Sequence, residues 1–421
     1  MTSKSKNTIL GLCGLGLIAC GSALSADWSQ YHGPSTDGTT SEVIKNTNWS
    51  SLKPLWKVPT PDGFSSFAVL GSRAFTIVGR GSTEVLVALD AATGKEVWAA
   101  PLGDSVHDGS GGAGTKDNNG GDGPRSTPAV DAKGQVYTIN SNMVVSCFSG
   151  VNGKPVWQHD IIKDNAGQNI HWESAQSPLL VDDLVVCYGG GAGQTFIGLS
   201  KKDGSVVWKS GDDKMTHATP VLATIHGMKQ VIFFGQKGLT SIDPKDGKQL
   251  WFFPYPYKTS TAASPVVFED IVYCSAGYGV GAGACKIEKT ASGFQAKELW
   301  RKEKQLPNHW STPVVKDGYL YGMFSFKEYG KGPVSCVDIK TGEQKWTQPG
   351  FGPGQVILAG DKVVALSDKG ELVLIAAQPT AYKELARQPI VAGKCWSLPA
   401  LSDGRIFARS TKEGVCIVLP K

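Results

Sequence analysis

Arg125, His171, Glu173, His217, His309 and Cys395 each stand a few residues ahead of a short apolar run led by proline, in DGPRSTPAV, HWESAQSPLL, HATPVL, HWSTPVV and CWSLPAL. Trp172, Trp310 and Trp396 accompany them. Imidazoles beside a carboxylate suit acid/base work or metal ligation, and indoles suit stacking on a ring or anchoring a partner. His171 and Glu173 share one unit of the chain, and His217 and His309 come from two others. If they converge, they form a metal or acid/base site; if they do not, they tie neighbouring units together and fill the space between them.

Other chemistry is thin. No G-x-S-x-G elbow, HExxH or strand-helix nucleotide fingerprint occurs. The stretch SAGYGVGAGAC, residues 275–285, is rich in glycine but lacks the GK[ST] of a phosphate cradle. The segment from Pro101 to Arg125 carries Asp104, Asp108, Asp117, Asn118, Asn119 and Asp122 among glycines. It lacks the ligand order of a calcium loop, so a surface loop is the preferred reading.

The elements that position these groups repeat. A hairpin string recurs in VALDAATGKEVWAA, CFSGVNGKPVWQH, IGLSKKDGSVVWKS, TSIDPKDGKQLWFF and SCVDIKTGEQKWTQ. The prolines at 128, 178, 220, 265 and 313 follow one another at 42 to 50 residues, and Pro399 comes 86 later, about two periods. One unit without its proline falls near residue 356 and another near Phe67, which makes eight. Each unit reads as strand, DG or KG turn, strand, glycine-rich loop, strand, hairpin and strand. That rhythm predicts an all-β, eight-bladed β-propeller of four-stranded antiparallel blades.

Within the hairpin, Asp90, Thr93 and Gly94 suit a tight turn, since Asp accepts from following amides and Gly tolerates positive φ. Trp98 then lies on the outer strand, with counterparts Trp157, Trp208, Trp251, Trp300 and Trp346. These indoles are expected to dock one blade on the next, each N–H seeking a carbonyl. The eighth unit ends after GVCIVLP without an outer strand. SLKPLWKVP, with Trp56, supplies the missing strand, so the ring is expected to close by an N-terminal strand joining the last blade.

Composition sets the remaining bounds. The chain has 421 residues, 41% hydrophobic and 19% charged, with 52 glycines and 23 prolines, a balance suited to many short strands. A net charge of +5 with scattered Lys and Arg gives no nucleic-acid stripe. Of nine cysteines, Cys13 and Cys20 fall in the leader. Cys147, Cys187, Cys274, Cys285, Cys336, Cys395 and Cys416 show no CxxC and read as small buried hydrophobes, with a Cys274–Cys285 disulfide as the alternative.

Residues 1–26 read as an export signal: Lys4 and Lys6, an apolar run from Ile9 to Ala19, then small residues. Leu17-Ile18-Ala19-Cys20 resembles a lipobox, with Cys20 lipidated; Ser25-Ala26 offers an ordinary cleavage site instead. Residues 27–421 read as one propeller, in the periplasm or on the outer membrane, and monomeric. Any membrane contact would come through that lipid anchor alone.

The D-x-x-T-G-x-x-x-W hairpin resembles the repeat of pyrroloquinoline-quinone (PQQ) type β-propellers, a superfamily that includes quinoprotein alcohol dehydrogenases and BamB-like proteins. DWSQYHGPSTDG, DGPRSTPAV and NHWSTPVVKDGYLYG are similar to BamB-like exported PQQ-repeat proteins. The resemblance spans nearly all of residues 27–421. It implies either a quinone enzyme or a scaffold. A quinoprotein dehydrogenase would be expected to show adjacent cysteines and a Ca²⁺ held by Glu, Asn and Asp. No two cysteines are adjacent here. The leading expectation is therefore a non-catalytic exported scaffold binding a protein at the envelope, with no cofactor and no metal. The alternatives are a PQQ- and Ca²⁺-dependent oxidoreductase of alcohols or sugars, and a carbohydrate-binding propeller using Trp172, Trp310 and Trp396. The site residues would be Arg125, His171, Trp172, Glu173, His217, His309, Trp310 and Trp396.

Overall fold

The computed structural model describes residue 1 and residues 27–50, 52–104 and 123–420. The leader with Cys20 and most of the 101–125 segment lie outside them. Eight sheets, each built on four antiparallel strands, follow one another along the chain. Blade 1 consists of Ala68–Leu70, Arg73–Arg80, Thr83–Asp90 and Glu96–Asp104. Blades 2 to 7 span 129–160, 179–210, 221–254, 266–303, 314–348 and 355–389. Blade 8 takes three strands from 400–418 and its fourth, Pro54–Pro59, from the N-terminal region. Trp56 pairs with Cys416 in that closing strand, as the missing outer strand required. Helix is confined to Ile161–Asn165 among the described residues, and no helix there is long and apolar enough to cross a membrane. The outer strand of blade 1 runs on through Pro101 to Asp104, which the sequence reading had assigned to the following loop.

The hairpin motif has a steric reason. Trp56, Trp98, Trp157, Trp208 and Trp300 each lie against the hairpin glycine of the next blade. A Cβ at Gly94, Gly153, Gly204, Gly247 or Gly342 would stand 2.5–2.8 Å from the indole that covers it. The indole N–H then reaches a carbonyl beyond: Trp98 donates to Gly150, Trp157 to Lys201, Trp300 to Ile339 and Trp346 to Gln378, at 2.8–3.0 Å. Gly thus serves two needs at once, a positive φ and a flat bed for the ring.

Trp251 departs from this pattern, because blade 5 replaces the T-G hairpin with two long arms, Gly281–Thr290 and Gly293–Glu303. Its N–H donates to Gln230 Oε1 of its own blade instead. Across the sheet from each Trp stands a small residue: Ala88, Cys147, Gly198, Ser241, Ala284, Cys336 and Cys416. That position explains three cysteines as compact apolar spacers. All seven cysteines of the described region are free and buried, Cys274 and Cys285 included, in place of the disulfide alternative.

The segment DWSQYHGPSTDG, from Asp27, crosses the channel on the hairpin side. Trp28 bridges Val69 of blade 1, and the Ser29 carbonyl accepts from Val130 of blade 2. Gln30 Oε1 accepts from Leu180 of blade 3, and Thr36 Oγ1 both donates to and accepts from Leu222 of blade 4. The Tyr31 hydroxyl hydrogen-bonds Thr312 ahead of blade 6, Thr39–Thr40 pairs in parallel with blade 7, and Glu42 accepts from Gly404 of blade 8. One strap therefore closes this end of the channel. At its centre lies His32, 1% exposed and with neither ring nitrogen hydrogen-bonded.

Candidate functional site

The segments that lead into each inner strand, and the loops between second and third strands, meet at the opposite mouth of the channel. A girdle of hydrogen bonds sets their spacing. Ser66 N–H donates to Thr127 Oγ1, Thr127 N–H to Ser177 Oγ, and Ser177 N–H to Thr219 Oγ1, at 2.9–3.0 Å. Ser264 joins blades 4, 5 and 6 through Thr219 and Thr312. Gln355 Nε2 donates to both Trp310 and Trp396 carbonyls, and Leu398 N–H returns to Ser66 Oγ. The ring is thereby complete through all eight blades. These Ser and Thr residues were missed as functional positions, although the signal was present in the strings STP, QSP, ATP and ASP. Proline confines the preceding residue to extended backbone, which fixes where the hydroxyl points.

Above the girdle the aromatic side chains form a continuous arc. His171 stacks beside Trp172 at 4.8 Å, and Trp172 lies parallel to Tyr278 at 6.5 Å. Tyr278 meets His309 and Phe326 edge-on at 5.2 and 4.7 Å, and His309 meets Trp310 at 4.8 Å. Trp310 packs on Trp396 at 4.5 Å, which also carries Phe64 at 4.8 Å and Tyr329 at 5.7 Å. Trp172, Tyr278, Phe326, Trp310, Tyr329 and Phe64 remain partly exposed, while Trp396 and His309 are buried beneath them. Lys327 lies over Tyr278 and Phe326, and Lys394 over Trp396 at 4.5 Å. The glycine stretch at 275–285 contributes a close approach: a Cβ at Gly277 would be 2.6 Å from Phe326 and 2.9 Å from His309 Nδ1.

His217 and His309 come close to one another, and burial holds both neutral. His217 Nε2 contacts the His171 carbonyl at 3.1 Å and Nδ1 contacts Ser260 Oγ at 3.0 Å. Burial draws it down to about 3, aided by nearby Arg125 and His309. Burial draws His309 down to about 3 as well, with the Lys327 cation adding to it, and its Nδ1 has no hydrogen-bond partner. Arg125 and Glu173 lie on the lead-in segments of blades 2 and 3, partly buried, and Cys395 is buried ahead of blade 8 with its thiol pushed up by burial. The two buried imidazoles are therefore unprotonated near neutrality, and the Cys395 thiol is not ionised.

Phe64, Tyr278, Phe326 and Tyr329 belong to the arc but escaped the sequence reading. Arg409 escaped it too. It is wholly buried at the seam between blades 8 and 1, where it donates to Thr76 Oγ1 and to the carbonyls of Ile77, Thr60 and Asp62, at 2.6–3.0 Å. Burial lowers its guanidinium to about 9, which leaves it charged at neutral pH.

A Ca²⁺-bound quinone requires clustered ion ligands and an open ring face. Among the described residues no three His, Cys, Asp or Glu side chains group to hold an ion. Trp396 is already covered by Phe64, Trp310 and Tyr329.

Fold and repeat together define a PQQ-like repeat propeller. A family model described as "Outer membrane protein assembly factor BamB" matches residues 81–348, and the chain belongs to that family. No curated protein matches it. Among solved structures, BamB from Moraxella catarrhalis is similar at 14% identity and a TM-score of 0.59, over 87% of this chain and 99% of that one. Quinohemoprotein alcohol dehydrogenase from Comamonas testosteroni is similar at 14% and 0.65, over 94% and 80%. A europium-containing methanol dehydrogenase is similar at 12% and 0.51, over 92% and 90%. At these identities the likeness is one of fold.

Proposed function

We propose that this chain is a non-catalytic, exported recognition propeller that binds a protein partner at the cell envelope through its aromatic mouth. The observation that supports this most is the arc itself: partly exposed Trp, Tyr and Phe rings, held in register by the girdle and contributed by loops of several blades. Rigid aromatic anchors set among lysines are the chemistry of interface hot spots. Membership in a family named for outer-membrane protein assembly supports an envelope role, and the leader with Lys4, Lys6 and Cys20 supports export. The burial of His217 and His309 as neutral groups weighs against acid/base catalysis by them.

The test is site-directed photocrosslinking in intact cells, with the reactive group at position 310 in the mouth or at the exposed Val151 on the hairpin face. A discrete protein adduct from 310 and none from 151 is expected. Equal adducts from both positions, or none from 310, would refute the reading. Retention of quinone absorbance after gel filtration with PQQ and Ca²⁺, together with dye reduction by alcohols or sugars, would replace it with the oxidoreductase. Glycan-array binding lost in Trp310→Ala would replace it with carbohydrate recognition.

A further inference from the structure

We propose that Trp172 and Tyr278 form a seat for an uncharged aromatic side chain of the protein partner, and that both rings are held for this contact at backbone positions that suit neither of them. The inference rests on the proposed protein-binding role and adds to it the chemistry of what is bound and the residues that hold it.

The backbone singles these two residues out. Trp172 has a φ of 70° and Tyr278 a φ of 54°, and no other Trp, Tyr or Phe among the described residues has a positive φ. Bulky side chains seldom take this conformation, which glycine, asparagine and aspartate adopt more easily. Each ring stands at an inner position of a tight turn. The turn ahead of blade 3 is closed by Glu173 N–H donating to the Ile170 carbonyl at 3.0 Å, with Trp172 third in it. The turn between the second and third strands of blade 5 is closed by Val280 N–H donating to the Gly277 carbonyl at 3.1 Å, with Tyr278 second and Gly279, at 76°, third. Glycine or asparagine is the ordinary occupant of such places. The blade 5 turn is fixed from below, since a Cβ at Gly277 would stand 2.6 Å from Phe326 and 2.9 Å from His309 Nδ1. Two turns from different blades thus make the same departure, and the rings they carry lie together. Strain repeated in this way calls for a reason outside the turns themselves.

The pair also limits what it can hold. Both rings are partly exposed, above the buried His217, whose ring lies 6.4 Å from Trp172. They are within 20° of parallel, with centroids 6.5 Å apart. A flat group in contact with both needs about 7 Å, twice a carbon–carbon contact of about 3.5 Å, so a planar ring fits with a small displacement of one side chain. A puckered sugar ring is thicker and needs a wider gap. Charge selects neither sign. Lys327 lies 5.4 Å from the centre of the Tyr278 ring and Arg125 lies near His217, while Glu173 follows Trp172 and Glu328 follows Lys327. A neutral aromatic ring gains from both faces and brings no charge into this mixed field.

Capped pentapeptides that differ only in a central Phe, Leu or Arg are the probes, with methyl β-glucoside as the sugar, titrated against the full chain by ligand-observed NMR. The Phe peptide should bind about tenfold more tightly than the other two, with its ring protons shifted upfield by the rings it meets. Trp172→Asn and Tyr278→Asn should each weaken it by about tenfold, while the melting temperature stays at the wild-type value or rises, because asparagine suits the turn that the ring strains. Tyr278→Phe should keep the binding, and Phe252→Ser, at an exposed position on the outer strand of blade 4, should leave it unchanged. Equal binding of the Phe and Leu peptides, or tighter binding of the Arg peptide or the glucoside, would overturn the inference. So would a lower melting temperature in both Asn variants, since the rings would then serve the packing of the mouth. If a protein still crosslinks from position 310 at full yield in both Asn variants, the aromatic seat is refuted while the protein-binding role stands.

Discussion

On the hairpin face, Trp98, Trp157, Trp208 and Trp300 each carry their N–H to a backbone carbonyl of the adjoining blade, over a glycine where an added Cβ would press into the ring. At the mouth, Trp310 reaches the Pro353 carbonyl, but Trp396 Nε1 and His309 Nδ1 are buried with no partner, and six neighbouring rings stay partly exposed. The hairpin face is thus closed by contacts repeated from blade to blade and by a strap that gathers the inner strands. The mouth is built from non-repeating loop residues whose hydrogen-bonding capacity is not all used. An unpaired buried polar group costs on the order of 1–3 kcal/mol, and both ends of the channel carry one, at Trp396 and His309 in the mouth and at His32 under the strap. On the proposed reading, architecture and recognition sit at opposite ends of the same strands.

The largest effect should come from opening the ring. Deleting residues 52–60 removes the outer strand of blade 8 and the Trp56 ring that rests on Gly94, leaving an unpaired edge. The expected outcome is loss of the cooperative melt, followed by light scattering. A sharp melt near that of the full chain would break the claim that this face is closed by that strand.

Acid should come next, and it acts on both faces. Burial holds His32 on the strap, and His217 and His309 at the mouth, near 3 against an ordinary value of 6.5. The folded chain keeps all three neutral while the unfolded chain protonates them, so stability is lost as pH falls below about 6.5 and continues to fall towards 3. At pH 5 the loss is about 2 kcal/mol for each histidine. Asp213 and Asp368, raised by burial, act in the opposite sense. Melting followed by circular dichroism from pH 7 to 5 should show the decline, and His32→Leu should make it shallower by one proton. A flat profile would sink the account of both faces.

Arg409→Ala should cost about 3–5 kcal/mol in denaturant unfolding, because it strips the carbonyls of Thr60, Asp62 and Ile77 of a donor and leaves a cavity. The loss should exceed that of Arg405→Ala, whose side chain is partly exposed on the same strand. Equal losses would mean that the seam does not depend on the clamp.

The two faces also differ in how far the sequence exposed them. Blade number, the closing strand and the outer Trp series were legible because they repeat, and a repeat shows where a member is missing. The strap was not, since Trp28, Gln30 and Thr36 each meet a different inner strand and share no period. At the mouth, residue types pointed to His171, Trp172, His309, Trp310 and Trp396. Their order around the arc, and the rings of Phe64 and Tyr329 that complete it, depend on loop paths that no local pattern encodes. Arg409, in RIFARS, resembles any strand-end arginine until the carbonyls from blade 1 surround it.

The smallest effect tests the hairpin rule itself. Gly134 and Gly153 both have positive φ, 76° and 70°, so an added Cβ imposes similar backbone strain on each, about 1–2 kcal/mol. Only at Gly153 would that Cβ meet the Trp98 ring, at 2.6 Å; at Gly134 nothing lies within 4 Å. Gly134→Ala should therefore lose only the backbone share, and Gly153→Ala a further 1–3 kcal/mol from displacing the indole. Urea unfolding of the two variants measures the difference. In a Trp98→Leu background the ring is gone, so the two substitutions should cost the same, and the coupling energy of that cycle isolates the contact between blades. Equal costs in the wild-type background would mean that glycine recurs in the hairpin for its φ alone, and that the ring stacks there without setting how close two blades can come.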